Sequence, residues 1–289
     1  MKEILINLAK NIPDSLYLRI VYLIKKHSIL HLKNPITFNE KLQWLKVYDH
    51  NPLYTTLVDK AEAKRWIASK IGESFVPKTF GVWDSFDEID FESLPNTFVL
   101  KATHDSGTVV FCNDKENFDK EKANLIFKKA LRNNYYWRGR EWPYKNVKPR
   151  VIAEEYLDIK SMECAEYKLF CYNGVVNWVM ECRGIAHRVN GGRTNDGYDR
   201  NYNHLPVTFT NPNSGKQYQK PQQWDELLRI AEILSEGIPE VRVDTYCVNG
   251  KIYIGELTFF HDGGFCDFKP SSWDKKFGIG IDLSRVGTK

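Results

Sequence analysis

The chain has 289 residues, 42% hydrophobic and 27% charged, with 41 Lys and Arg against 37 Asp and Glu for a formal net charge of +4. That balance excludes disordered, collagen-like and fibrous classes, and a chain this long buries about three quarters of its unfolded surface without needing staples. The charge is too weak to indicate a nucleic-acid partner, and no block of five or six like charges occurs.

The chain opens MKEILINLAKNIPDS, whose apolar run is too short for a signal peptide and lacks a small-residue cleavage site. No window of 18 residues is free of Asp, Glu, Lys and Arg, so no spanning helix is expected. None of the 6 cysteines forms a C-x-x-C pair. Reduced thiols in a soluble, cytoplasmic protein are expected.

Residues 15–33 put Leu16, Ile20, Leu23, Ile24 and Leu30 at helical spacing beside Lys25, Lys26, His27, His31 and Lys33. This basic amphipathic helix suits either an anionic membrane at its inner face or packing on the core with a solvated basic side. Packing is the commoner use of the pattern. Thr37-Phe38-Asn39-Glu40 is a capping box that starts a second helix near Phe38. Asp59 can cap a third, ending near Gly72. Residues 1–75 thus read as a helical segment.

Strands follow at Thr79–Trp83 and Thr97–Thr103, a helix at 119–132, and a strand at Arg150–Tyr156. A hairpin over Tyr167–Met180 turns at Asn173-Gly174, and another over Val241–Phe259 turns at Asn249-Gly250. Between them lie residues 184–222, rich in Asn, Gly, Pro and Arg, which read as a long mobile lid, and a helix at 223–236. This order argues for an α+β fold divided at 76–156 and 157–289.

Asp244 and Glu256 interrupt otherwise apolar strands of the last hairpin. Buried carboxylates need a cation, and two on one sheet face make an oxygen site for Mg²⁺. A plain two-residue turn places them on opposite faces. A three-residue loop with Gly250 in the left-handed region, or a bulge that restores parity, puts Arg242, Asp244, Glu256 and Thr258 on one face. The competing reading pairs Asp244 with Arg242 and Glu256 with a lysine. Strand Phe98–Leu100 delivers Lys101 to His104-Asp105-Ser106-Gly107, which reads either as an ordinary turn or as a phosphate-binding loop. In PRVIAEEYLDI the bland reading of Glu154 and Glu155 is an edge strand with solvated carboxylates.

The order Lys60, Lys101 and its loop, Glu154–Leu157, Asp244 and Glu256 is similar to that of ATP-grasp ligases. NPITFNEKLQWLKVYDHNPLYTTLVDK, GVWDSFDEIDFESLPNTFVLK, NNYYWRGREWPYKNVKPRVIAEEYL and VRVDTYCVNGKIYIGELTF resemble the TupA-like ATP-grasp family of bacterial surface-polysaccharide loci, over about residues 34–282. The resemblance implies an ATP-grasp fold with two α+β subdomains gripping ATP. It implies Lys60 and Lys101 on ATP phosphates under the flexible loop His104, Asp105, Ser106, Gly107 and Thr108. It implies Glu154, Glu155 and Leu157 on adenine, Asp158 on ribose, and Mg²⁺ on Asp244 and Glu256. Thr258 stands where relatives usually have Asn.

Lys101, Arg242 and Arg183 are the candidate catalytic cations. Arg183, Arg188, Arg193 and Arg200 lie on or near the long loop and suit a carboxylate or diphosphate. Tyr135, Tyr136, Trp137, Trp142 and Tyr144 suit either a sugar or the core. The activity implied is a carboxylate–amine ligase acting through an acyl phosphate. Its implied partners are an amine or amino acid and a carboxyl-bearing sugar, small or lipid-linked, in capsule or O-antigen assembly. Two rival readings are a glycosyltransferase of that pathway, which lacks a D-x-D motif here, and a non-catalytic polysaccharide-binding module.

Overall fold

The computed structural model describes residues 10–158, 165–184 and 192–287. The helices are α1 (Asp14–Lys26), α2 (Phe38–Tyr48), α3 (Leu53–Val58), α4 (Lys60–Ile71), α5 (Lys120–Leu131), α6 (Tyr136–Gly139), α7 (Trp224–Ser235) and α8 (Ser272–Ile279). The strands are β1 (Thr79–Trp83), β2 (Phe98–Ala102), β3 (Val109–Cys112), β4 (Val151–Glu155), β5 (Glu166–Tyr172), β6 (Val175–Arg183), β7 (Thr194–Asp199), β8 (His204–Leu205), β9 (Glu240–Val248) and β10 (Lys251–Thr258). They fall into two compact units. Residues up to 50 join those from 159 onward, and residues 51–158 form the other. The helical run expected over 1–75 is thus shared between the units.

The smaller unit is built on an antiparallel sheet of order β1-β4-β2-β3. Alternation along β2 sends Phe98, Leu100 and Ala102 into a core with Phe127 of α5, while β4 adds Val151 and Ala153. Lys101 and Glu154 consequently share the opposite face. Strand β4 lies between β1 and β2, so the edge-strand reading is replaced by a central position. Asp59 caps α4 by accepting from the Ala61 and Glu62 amides, and Arg150 Nη2 binds Asp59 Oδ2 at 2.8 Å. That pair fixes the start of α4, where Lys60 sits.

The larger unit carries a sheet of order β10-β9-β5-β6-β7-β8. One face packs on α7, with Tyr167 edge-on to Trp224 at 6.1 Å. The other face has an aromatic end, where Phe170 stacks on Trp178 at 3.5 Å and Trp178 on Phe277 at 4.1 Å. Phe38 of α2 meets this cluster edge-on. The Thr37–Glu40 capping box forms as the sequence requires and sets the start of α2.

Residues 194–205 are a correction to the long-loop reading. Strand β7 pairs with β6 from Trp178↔Asp199 to Arg183↔Thr194, and its Asn195, Asp196, Gly197 and Tyr198 are buried. Such residues are poor strand formers by composition. Here tertiary contacts hold two of them: Asp196 accepts from the Ser214 amide at 3.2 Å, and the Tyr198 ring stacks on Tyr202 at 4.2 Å. Arg188 and Cys164 lie outside the described residues, and the five described cysteines form no disulfide with one another.

The last hairpin settles the parity question. The turn holds two residues, with Val248 opposite Lys251, so the three-residue loop does not form. Asn249 and Gly250 both take positive φ, 52° and 76°. A bulge at Gly255 then lets Ile254 face Thr245 and Glu256 face Asp244. Asp244 and Glu256 stand directly opposite on one face, as do Arg242 and Thr258. A Cβ on Gly255 would lie 2.7 Å from the Tyr246 ring and 3.5 Å from the Asp244 carbonyl. If this pair holds Mg²⁺ as the resemblance implies, Gly255→Val should displace the bulge and lower Mg²⁺-dependent turnover although neither carboxylate is altered. Unchanged Mg²⁺ dependence of ADP release would refute that link.

Candidate functional site

Three lysines gather in the smaller unit. Lys101 Nζ forms an ion pair with Glu154 Oε1, and Lys64 Nζ meets Glu154 Oε2 at 2.9 Å. Lys60 donates to the Asp105 carbonyl, while its own amide donates to Thr103 O at 3.1 Å. The turn between β2 and β3 closes through the Ala102 amide on Thr108 O and the Thr108 hydroxyl on Asp105 Oδ2 at 2.5 Å. Two ammonium groups thus hold one buried carboxylate, and a third lies on the short turn that follows β2, an arrangement that suits a polyphosphate. Burial alone would raise the Glu154 pKa, but Lys101 and Lys64 outweigh it and bring it down to about 2.

The expected residues here divide. Lys60, Lys101 and Asp105 converge with Gly107, whose φ of 107° lets the turn close. The His104 ring departs from the loop role: it is 2% exposed and its Nε2 lies 3.1 Å from Ala130 O, so only its backbone belongs to the turn. The Glu154 side chain faces lysines, and Glu155 Oε2 accepts from the Lys78 amide at 3.2 Å, so both carboxylates are engaged within the unit. Leu157 and Asp158 follow β4 half-buried and exposed. Lys64 was not among the expected residues, although its i+4 spacing from Lys60 places both on one side of α4. The aromatic run lines its own unit: Tyr54 packs on Trp142 at 5.8 Å, and the buried Arg140 lies 4.6 Å over Trp137.

In the larger unit the charged end of the sheet face is a ladder. Arg242 grips Asp244 with two bonds, Nε to Oδ1 at 2.5 Å and Nη2 to Oδ2 at 2.6 Å. It also reaches Glu256 Oε1 at 3.5 Å and Thr258 Oγ1 at 3.0 Å. Lys168 bridges Asp244 Oδ2 at 2.6 Å and Glu166 Oε1 at 2.7 Å, and Arg193 Nη2 takes Glu166 Oε2 at 3.0 Å. Burial would raise the Asp244 pKa, yet Arg242 and Lys168 hold it below the usual carboxylate value. His261 Nδ1 contacts Arg242 Nη1. Burial, then the neighbouring Arg242 and Lys168, keep that imidazole neutral, so it can accept the bond.

The carboxylates face each other, Asp244 is ion-paired with Arg242 as the competing reading has it, and Glu256 lies 3.5 Å from Arg242 rather than beside a lysine. Asp244, Glu256 and Thr258 offer hard oxygen donors on one face, which fits Mg²⁺. Arg183 is corrected. It follows Cys182, which faces Glu166, and so lies on the opposite side of the sheet, bound to Glu181 at 2.5 Å and 3.9 Å over Tyr218. Arg200 is likewise elsewhere, paired with Glu232.

A cavity of about 290 Å³ opens beside this ladder, lined by Lys168, Arg193, Asn195, Phe209, Arg242 and His261. Arg193 Nε and Asn195 Oδ1 are buried there without a hydrogen-bond partner. With the cations Lys168, Arg193 and Arg242 set beside the acids Asp262 and Asp267 in its lining, the cavity suits a polar ligand with a carboxylate. Arg193 is the one expected loop arginine that reaches this ladder among the described residues, whereas Glu166, Lys168 and His261 are not among the expected residues. The Glu166-x-Lys168 spacing on an apolar strand repeats that of Arg242-x-Asp244 and was the available signal.

No curated protein matches the chain. Among solved structures, D-alanine–D-alanine ligase from Bacillus anthracis is 15% identical, with 83% of this chain and 73% of that one covered and a TM-score of 0.43. A RimK domain ATP-grasp protein from Sphaerobacter thermophilus DSM 20745 is 14% identical, covering 81% and 69% with a TM-score of 0.46. D-cycloserine synthetase DcsG is 14% identical, covering 79% and 71% with a TM-score of 0.43. The family model described as TupA-like ATPgrasp matches residues 40–282, a stretch that holds every charged residue of both clusters. The chain belongs to the TupA-like ATP-grasp family.

Proposed function

We propose that this ATP- and Mg²⁺-dependent ligase joins an amine or amino acid to a carboxyl-bearing sugar, free or lipid-linked, during assembly of a capsule or O-antigen in the cytoplasm. The observation that carries the substrate class is the polar cavity whose lining combines Lys168, Arg193 and Arg242 with Asn195, Asp262 and Asp267. A sugar acid would present both the anion and the hydroxyl groups that such a lining can use.

In this reading Lys60, Lys64 and Lys101 bind phosphate oxygens, exchanging the Glu154 carboxylate and the Asp105 carbonyl for the nucleotide. Asp244 and Glu256, with Thr258 beside them, would hold Mg²⁺, which supplies charge neutralisation at the phosphates. Arg242, released in part from Asp244, would orient the acceptor carboxylate together with Arg193. A carboxylate oxygen attacks the γ-phosphorus and ADP leaves. The amine then attacks the acyl carbon, the C–O bond to the phosphate breaks with its electron pair going to phosphate, the nitrogen's proton leaves with that phosphate, and an amide remains. Neutral His261 accepts from Arg242 Nη1 and so helps fix the guanidinium at the cavity wall without adding charge.

The family assignment favours this over glycosyl transfer. ADP release in the presence of paired uronic acids and amino acids, with the conjugate identified by mass, is the test. Release only when both partners are present supports the reading, and release with no carboxylate-containing sugar but with another acid class would reassign the acceptor.

A further inference from the structure

Helix α1 has two apolar sides. Leu18 and Tyr22 point inward to Leu30 and Leu32, against Trp44 and Phe265. At about 100° per residue, Leu16, Ile20, Leu23 and Ile24 fall within an arc of about 100° on the other side. All four are exposed, Ile24 at 66%, and Ile29 just beyond the helix is exposed at 67%. One apolar stripe is what a helix needs to pack on a core, so the outer one is unexplained by the fold.

The formal charge of the segment itself is one-sided, although Lys26 is paired with Asp267 at 2.6 Å. Residues 10–36 contain Lys10, Arg19, Lys25, Lys26 and Lys33 against Asp14 alone, a net of +4, which equals the formal net charge of the entire chain. All other residues together are neutral. The protein's excess positive charge therefore sits in the segment that displays the unburied apolar stripe. The helix has 13 residues, too short to span a bilayer, and no described helix is long and apolar enough to cross one.

We propose that α1 lies in the plane of an anionic lipid surface, with Leu16, Ile20, Leu23 and Ile24 at the acyl boundary and the exposed Lys10, Lys25 and Lys33 supplying the attraction to headgroup phosphates. Partial burial of the stripe and charge attraction act together, so binding is reversible and salt-sensitive. This docking does not depend on the ligase reading, and either can fail without the other.

The test uses the full chain in sedimentation with phosphatidylglycerol–phosphatidylcholine vesicles and with phosphatidylcholine vesicles. The parent should bind the anionic vesicles, release with salt, and ignore the neutral ones. The double variant Ile20→Asn/Ile24→Asn should bind about tenfold more weakly or less, with an unchanged thermal midpoint and unchanged ATP affinity because neither residue touches the two clusters. A parent that does not bind, or a variant that binds equally, overturns the proposal. So does a parent dimer that the variant dissolves, which would make the stripe a self-association face, or binding seen only after removal of residues 1–9, which would make that segment its cover.

Discussion

Asp244→Asn should remove nearly all ligase turnover, by roughly 10²–10³-fold or more, and should also cost about 3–5 kcal/mol of stability. The second effect comes from geometry. Asp244 is the shared partner of two buried cations, Arg242 and Lys168. Asparagine keeps the shape and loses the charge, leaving two positive groups in a low-dielectric strand layer with Glu166 and the partly exposed Glu256 as the nearest acids. A second substitution separates stability from catalysis. Lys168→Met in the same chain removes one of the surplus charges. The double variant should regain a large part of the lost stability in urea unfolding while remaining inactive. If stability is not regained, Lys168 and Asp244 are not coupled as their 2.6 Å contact requires.

Glu154→Gln should lower stability at neutral pH by about 3 kcal/mol, since the folded chain takes this carboxyl from its ordinary 4.5 to about 2 and each tenfold gain in acidity contributes about 1.4 kcal/mol. The folded-state pKa is depressed, so this stability is fully present above pH 4.5 and is lost as pH falls toward 2. The parent should weaken through that window and the variant should weaken less steeply there. The same variant leaves Lys101 and Lys64 without their carboxylate. A nucleotide that takes over those lysines should then stabilise the variant more than the parent. An equal thermal shift with MgATP in both proteins would place the phosphates elsewhere.

Local rules carried much of the architecture. The capping box at Thr37, the Asp59 cap and the two Asn-Gly turns depend on neighbouring residues, and each appears where the sequence puts it. The parity argument for Asp244 and Glu256 required one extra residue but could not choose between turn and bulge. Gly255 was the clue, because only a residue without a Cβ fits against Tyr246. Strand β7 was illegible for a tertiary reason, since Asn195, Asp196 and Gly197 are held by the β6 ladder and by Ser214 rather than by their own propensity. Arg193 and Arg183 look alike in a basic stretch. Strand pairing alone sends Arg183 to the far side of the sheet and leaves Arg193 on the cavity. Lys64 and Lys168 escaped notice because lysines on a helix face or within a strand signal nothing until their carboxylate partner is known.

The acyl-phosphate route is tested most directly by oxygen tracing. The acceptor sugar acid, labelled with oxygen-18 in its carboxylate, is turned over with ATP, Mg²⁺ and the amine, and the released phosphate is analysed by mass. Transfer of one labelled oxygen into inorganic phosphate, with ADP as the nucleotide product, is the expected result. Unlabelled phosphate, or release of AMP and pyrophosphate, would contradict phosphoryl transfer to the carboxylate.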